Sequence, residues 1–422
     1  MLYDQEFTAN PPDSLEQFGY SHVVDAILKD YGLVPLEKVV SVNKHPNRPY
    51  HVFIWKISLK TLATSGCFEP SLPYTTKPPS DGVLDVVMRI FNPNAHELVQ
   101  ANRVQTEVAS MHLIRGGLKR AEKGLEEIIP AVYAWGPADE HGDKIGWILM
   151  ETKSGLQGSC NLRKGGDWGR DVFIEQMAEI LRLIQNIELP STVTAYGGLT
   201  IDDDGNIVTG KAARFGGGPW TSYADFWAKA GGTRERIDAL IQKLHGIFSK
   251  KVTCPLRKII HGGLLMENIL FEPETKKITA LLGFSRTCVL HPSMEFLLSF
   301  ADFGGNIVNN RVPLTTLDDE LIDQIVFNTF SIPRPPKNDT ETYRRNTIFW
   351  ERAIAWDGWM LEAGVTRPSM ITGIREIRLL ARIDSSLYPT RLDDDSLTPK
   401  QAYNDVLEAW IKLDIALRFL DF

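Results

Sequence analysis

The run Tyr50-His51-Val52-Phe53-Ile54-Trp55-Lys56-Ile57-Ser58-Leu59-Lys60 alternates apolar and polar side chains and is rich in β-branched and aromatic residues. A period of two puts the apolar set on one face of a strand and scatters it around a helix. A break rich in Pro, Ser and Thr follows from Pro70 to Gly82, and Val83-Leu84-Asp85-Val86-Val87-Met88-Arg89-Ile90 then reads as a second strand. Asn94 to Arg115 has helical spacing, with Val99, Val104, Val108, Met111 and Leu113 as its apolar points. Ile145-Gly146-Trp147-Ile148-Leu149-Met150 reads as a further buried strand. This order predicts a small sheet crossed by one helix over residues 1–152.

The remainder, 153–422, reads as mostly helical. Phe173, Met177, Ile180, Leu181 and Ile184 form one apolar stripe, which is core and not a cofactor face. Asp202-Asp203-Asp204-Gly205-Asn206 reads as a hairpin turn; with no closing Glu it fails the calcium-loop pattern. From Thr316 to Phe422 helical patterns dominate, interrupted at Pro333-Arg334-Pro335-Pro336. A chain of 422 residues exceeds the usual limit of one core, so two domains are expected.

The net charge of −7 argues against a nucleic-acid or anionic-membrane partner. Cys67, Cys160, Cys254 and Cys288 are far apart and match no metal spacing, so they read as free thiols of a reducing compartment. The start, Met1-Leu2-Tyr3-Asp4-Gln5-Glu6, shows no signal-peptide pattern, and no apolar run is long enough to span a bilayer. A cytoplasmic protein is expected; the oligomeric state is left open.

Two short segments carry the chemistry. One is the loop His261-Gly262-Gly263-Leu264-Leu265-Met266-Glu267-Asn268. The other is Ile278-Thr279-Ala280-Leu281-Leu282-Gly283-Phe284, with Gly283 fifteen residues after Asn268 (283 − 268). With a strand ending in Arg89, a helix bearing Glu107 and a strand leading into Met150-Glu151, they form an ordered series. The series resembles the aminoglycoside phosphotransferase family and its choline-kinase-like relatives, over roughly residues 35–310. The echoes in Met266-Glu267-Asn268-Ile269-Leu270-Phe271 and Val289-Leu290-His291-Pro292 are to fungal members.

The resemblance implies an α+β, protein-kinase-like bilobal fold. A small antiparallel sheet lobe with one helix, 1–152, precedes a larger, mostly helical lobe, 153–422. The family's loop reads H-G-D-x-x-x-x-N and its next strand ends in I-D-F or I-D-W. Here Gly263 stands where the loop aspartate accepts the proton of the attacking hydroxyl, and Gly283 where the second aspartate holds metal. Asn268 alone survives, and a neutral amide is a poor magnesium ligand. General-base loss costs about 10²–10⁴-fold by itself. Arg89 replaces the usual lysine; with Glu107 it forms either the family's strand–helix ion pair or a surface pair of little value. The nucleotide-covering loop is expected at Ser41-Val42-Asn43-Lys44-His45-Pro46-Asn47-Arg48, which has no glycine with which to wrap phosphates.

Asp302-Phe303-Gly304 spells the kinase metal motif but lies 34 residues beyond Asn268 (302 − 268); it reads as helix termination by Gly304-Gly305 after the apolar segment Met294 to Phe300. Glu267 and Glu272 read as solvated or turn residues. His261 either braces the loop or titrates at the floor of a pocket. His291 either faces the same cleft or sits on the surface, and Ser285 and Arg286 are candidate inward donors. The candidate catalytic residues are therefore His261, Asn268 and Arg286. The candidate pocket residues are Arg89, Glu107, Met150, Gly263, Gly283, Phe284, Ser285 and His291, with no metal ligand.

Three functions compete. The first is an inter-lobe cleft repurposed for an apolar or neutral organic molecule, without cofactor, in a non-redox rearrangement or cyclisation of specialised metabolism. The second is a non-catalytic pseudokinase, a scaffold that offers Trp350, Trp356, Trp359 and Trp410 to a partner. The third is a residual phosphotransferase, the one case that implies ATP and magnesium.

Overall fold

The alternating run forms strand β2 (Val52–Ala63) of a five-stranded sheet in the computed structural model. The structure describes residues 15–41, 52–93, 102–138, 144–158, 170–229, 256–307, 323–326, 328–329 and 340–387. These fall into two compact units, each discontinuous in sequence. The first comprises Met1–Arg170, Ile187–Trp220 and Met266–Val289; the second comprises Asp171–Asn186, Thr221–Leu265 and Leu290–Phe422.

In the first unit, α1 (Leu15–Asp30) precedes β1 (Pro35–Ser41), β2 and β3 (Val83–Phe91). Then come α2 (Arg103–Ala121), β4 (Val132–Gly136) and β5 (Trp147–Glu151). The strand order is β1-β2-β3-β5-β4, antiparallel throughout. Phe53, Trp55, Ile57 and Leu59 of β2 and Val86, Met88 and Ile90 of β3 bury one face against Tyr20, Val24, Ile27 and Leu28 of α1. The expected α+β class holds, with an N-terminal antiparallel sheet.

Three elements exceed the expectation. Strand β1 carries Pro35, Glu37 and Lys38, the residues that keep a sheet edge from pairing further, and so lacks a strand-like alternation. Strand β4 is short and almost wholly buried, so it has no alternation to read. Helix α1 holds one side of the core with few strong helix formers. Of the residues expected in a helix over 94–115, 94–101 lie outside the described set, and α2 runs on through Gly116 and Gly117 to Ala121. A side chain at Gly117 would lie 2.6 Å from Ile187 Cγ1, so close packing there outweighs the glycine's cost of about 1 kcal/mol.

Strand β6 (Leu156–Gln157) follows, and the aspartate-rich turn joins β7 (Gly198–Ile201) to β8 (Ile207–Gly210) as expected. The Asp202 carboxylate accepts the Asn206 N–H at 2.7 Å, and Gly205 takes φ +82°. The second unit also holds β9 (Lys258–Ile260), and the chain returns to the first with β10 (Ile269–Glu272) and β11 (Lys277–Leu281), an antiparallel hairpin.

The second unit holds α3 (Arg170–Gln185), α4 (Tyr223–Lys229), α5 (Ser293–Leu298), α6 (Thr340–Ala363) and α7 (Ile374–Leu387). The α3 stripe is core: Phe173, Met177, Ile180, Leu181 and Ile184 are all buried. Trp356 is buried against Phe300, ring centroids 4.9 Å apart, and so is not available to a partner; Trp359 is half-buried and Trp410 lies outside the described residues. The apolar segment ends earlier than Gly304-Gly305. Helix α5 stops at Leu298, and Phe300, whose N–H donates to the Leu264 carbonyl at 3.0 Å, turns left-handed at φ +64°. Asp302 lies in the single turn that follows.

Cys67 and Cys288 are not joined in a disulfide; Cys160 and Cys254 lie outside the described residues, as do 42–48 and Pro333–Pro336. No helix among the described residues is long and apolar enough to cross a membrane.

Candidate functional site

The spacing between Asn268 and Gly283 is that of a hairpin. Ile269 pairs with Leu281, and the Leu282 N–H donates to the Asn268 carbonyl at 2.8 Å. The two positions therefore face one another where β10 begins and β11 has ended. Gly283 takes φ +83°, and a Cβ there would lie 2.7 Å from Asn268 Cγ and Oδ1. The Asn268 carboxamide thus fills the space that a side chain at 283 would enter. A side chain at 283 therefore meets two costs: the strain of a positive φ, which aspartate and asparagine tolerate better than other residues, and the turning aside of the Asn268 carboxamide.

The residues at this hairpin do not fit magnesium. Positions 268 and 283 offer one neutral amide and no carboxylate, whereas that cation takes carboxylate and phosphate oxygens. Glu267 is exposed, and Glu272 accepts the Glu274 N–H within the turn at 3.4 Å. No group of three or more His, Cys, Asp or Glu side chains able to hold a metal occurs among the described residues.

Arg89 and Glu107 meet across β3 and α2: Arg89 Nη1 lies 2.8 Å from Glu107 Oε1, with the Glu107 side chain fully buried. The surface-pair alternative therefore fails. Arg103, unmarked by sequence reasoning, joins them from one helical turn earlier and lies over the Phe91 ring, 5.0 Å from its centroid. Burial pushes the Glu107 carboxyl up, while Arg89 and Arg103 pull it down. Burial likewise lowers the Arg103 guanidinium to about 10, against the pull of Glu107. Helix α2 also packs on the turn Phe284–Arg286, so the first unit gathers Arg89, Glu107 and that turn around one helix. Phe284 is buried, Ser285 half-buried and Arg286 exposed. Met150 is buried in β5, paired with Val87.

His261, Gly263 and His291 belong to the second unit. The backbone N–H groups of His261 and Gly262 donate to the two oxygens of Glu295, at 2.7 and 3.1 Å. Ser299 donates to Glu295 Oε1 at 2.5 Å and accepts the Leu264 N–H at 2.9 Å. Helix α5 and the residue after its end thus hold the loop backbone by a buried carboxylate and a hydroxyl. Burial raises the Glu295 carboxyl, while Ser299 and the two N–H groups lower it. The sequence does contain a signal: Glu295 is the lone acid within Met294–Phe300. His291 is not on the surface; it is buried and bonded to Ser293 Oγ at 2.9 Å.

No protein-family model and no curated protein matches the sequence. Among solved structures, the chain is similar to a thermostable mutant of aminoglycoside phosphotransferase APH(4)-Ia in its apo form, at 12% identity and TM-score 0.41, covering 93% of this chain and 98% of that one. It is also similar to APH(2'')-IIa in a ternary complex with streptomycin and ATP, at 9% and 0.40, covering 93% and 96%. A third is the ethanolamine kinase Pv091845 of Plasmodium vivax, at 9% and 0.36, covering 95% and 85%. These likenesses span most of the chain, and at such identities and TM-scores they assign it neither a family nor an activity.

Proposed function

We propose that the chain descends from a small-molecule phosphotransferase, no longer transfers phosphate, and binds or converts an apolar or neutral organic molecule without metal. The observation that carries this is the packing of the Asn268 carboxamide over Gly283. Phosphoryl transfer in this chemistry is positioning plus charge neutralisation by metal. Gly263 offers no proton acceptor, Gly283 offers no metal ligand, and Asn268 has settled into the gap.

What remains suits a neutral ligand. Arg89 lies 2.8 Å from the fully buried Glu107 carboxylate, which offsets its charge inside the protein. The loop frame persists through Glu295 and Ser299, which keeps the backbone around Gly263 ordered without the acid it once presented. In the first unit Asn268 and Arg286 are candidate donors toward such a ligand, and in the second His261 is a candidate by itself. A non-redox rearrangement or cyclisation in specialised metabolism is the reading that the fungal resemblance of 266–271 suggests, in a cytoplasmic protein.

The test is phosphoryl transfer itself. The purified chain, incubated with magnesium, γ-labelled ATP and a panel of aminoglycosides and amino alcohols, should label none of them. Magnesium-dependent labelling above a protein-free control overturns the proposal.

A further inference from the structure

Tyr223, Ser293 and His291 form a hydrogen-bond chain in the second unit that the proposed function does not use. All three are buried. The Tyr223 hydroxyl lies 3.1 Å from Ser293 Oγ, which lies 2.9 Å from His291 Nδ1. The backbone N–H of Ser293 also donates to Nδ1, at 3.3 Å. That last bond sets every direction. An amide N–H can only donate, so Nδ1 carries no proton and the imidazole proton is on Nε2. Ser293 Oγ–H then donates to Nδ1, and the Tyr223 hydroxyl donates to Ser293 Oγ. The imidazole lies nearly flat on the Tyr223 ring, centroids 4.8 Å apart and planes at 21°.

A proton on Nδ1 undoes this arrangement. It confronts the Ser293 N–H at the first residue of α5, removes the acceptor of the Ser293 hydroxyl, and puts a charge among buried groups. The ionisable groups on the flanking elements are Asp225, Glu295 and, on α7, which also packs on α5, Arg375, Glu376 and Arg378, the last paired with Asp323. Asp225 of α4 accepts from Ser222 and Thr221, and Glu295 of α5 accepts from His261, Gly262 and Ser299.

We propose that the Tyr223–Ser293–His291 chain is an acid-sensitive latch: protonation of His291 loosens the start of α5 and so releases the loop His261–Leu264, which Glu295 and Ser299 hold. Burial lowers the His291 imidazole from its ordinary 6.5 to about 4. Above the ordinary value the latch is fully effective. Its stabilisation is lost as pH falls from 6.5 through about 4, because the opened state binds the proton more readily. Glu295 has the opposite sign. Its raised carboxyl favours the closed state on acidification, so it cannot cause the same loss.

Hydrogen exchange at the Gly262 and Leu264 amides of the intact chain tests this, corrected for the pH dependence of intrinsic exchange. Between pH 7 and pH 5, protection in the wild type should fall about tenfold or more. His291→Asn keeps an acceptor for the Ser293 N–H but does not titrate, so its protection should change less than about threefold over the same range. An equal acid loss in both proteins, or none in the wild type, overturns the latch. NMR titration of the His291 ring in the wild type needs no variant: a midpoint near 4 is expected, and one at the ordinary 6.5 refutes the proposal.

Discussion

Asn268 and Gly283 are packed side chain to backbone, with 2.7 Å between the Asn268 carboxamide and the place of a Cβ on Gly283. Gly283→Ala should therefore destabilise the chain by about 1–2 kcal/mol from its positive φ alone, with a further cost for displacing Asn268. Urea unfolding at unchanged slope would read this as a lower midpoint. Gly283→Asp should be milder on the backbone. It should nonetheless yield no magnesium-dependent ATP turnover, since Gly263 still supplies no base; turnover in that single variant would contradict the proposal that Gly263 deprives the chain of a base that transfer needs.

The Arg89–Glu107 pair makes a second prediction. Arg89→Met leaves a fully buried carboxylate without its closest cation and should cost roughly 3 kcal/mol, the low end for a broken buried pair because Arg103 still faces Glu107. Removing both charges, in Arg89→Met with Glu107→Leu, should recover at least half of that loss. A double variant no better than the single one would show that the pair is not acting as a unit.

Much of this site was legible before the fold was known, for a physical reason. Asn268 and Gly283 sit on the two strands of one hairpin, so a fixed sequence spacing encodes a spatial contact. Arg89 and Glu107 were legible because strand and helix order fixes which side chains can meet. The packing of Asn268 into the gap was not, because glycine in sequence reports a missing side chain and not what replaces it. Arg103 and Glu295 were missed since burial of a charge has no local periodicity. Strands β1 and β4 were missed because edge charges and complete burial each erase the period of two.

The loop brace gives a third prediction. Ser299→Ala removes one bond to Glu295 and one from Leu264, and should cost about 1–3 kcal/mol by thermal or urea unfolding. Glu295→Ala leaves two buried N–H groups without an acceptor and should cost more than Ser299→Ala. Equal stability of both variants with the wild type would mean that the loop is not held from α5.

Titration calorimetry with ATP in the presence of magnesium tests the proposal that the hairpin holds no metal most directly. The hairpin geometry predicts no magnesium-dependent heat and no affinity tighter than about 1 mM. A dissociation constant in the low micromolar range that disappears on chelation would show that carboxylates outside 263 and 283 hold the metal, and would contradict the account.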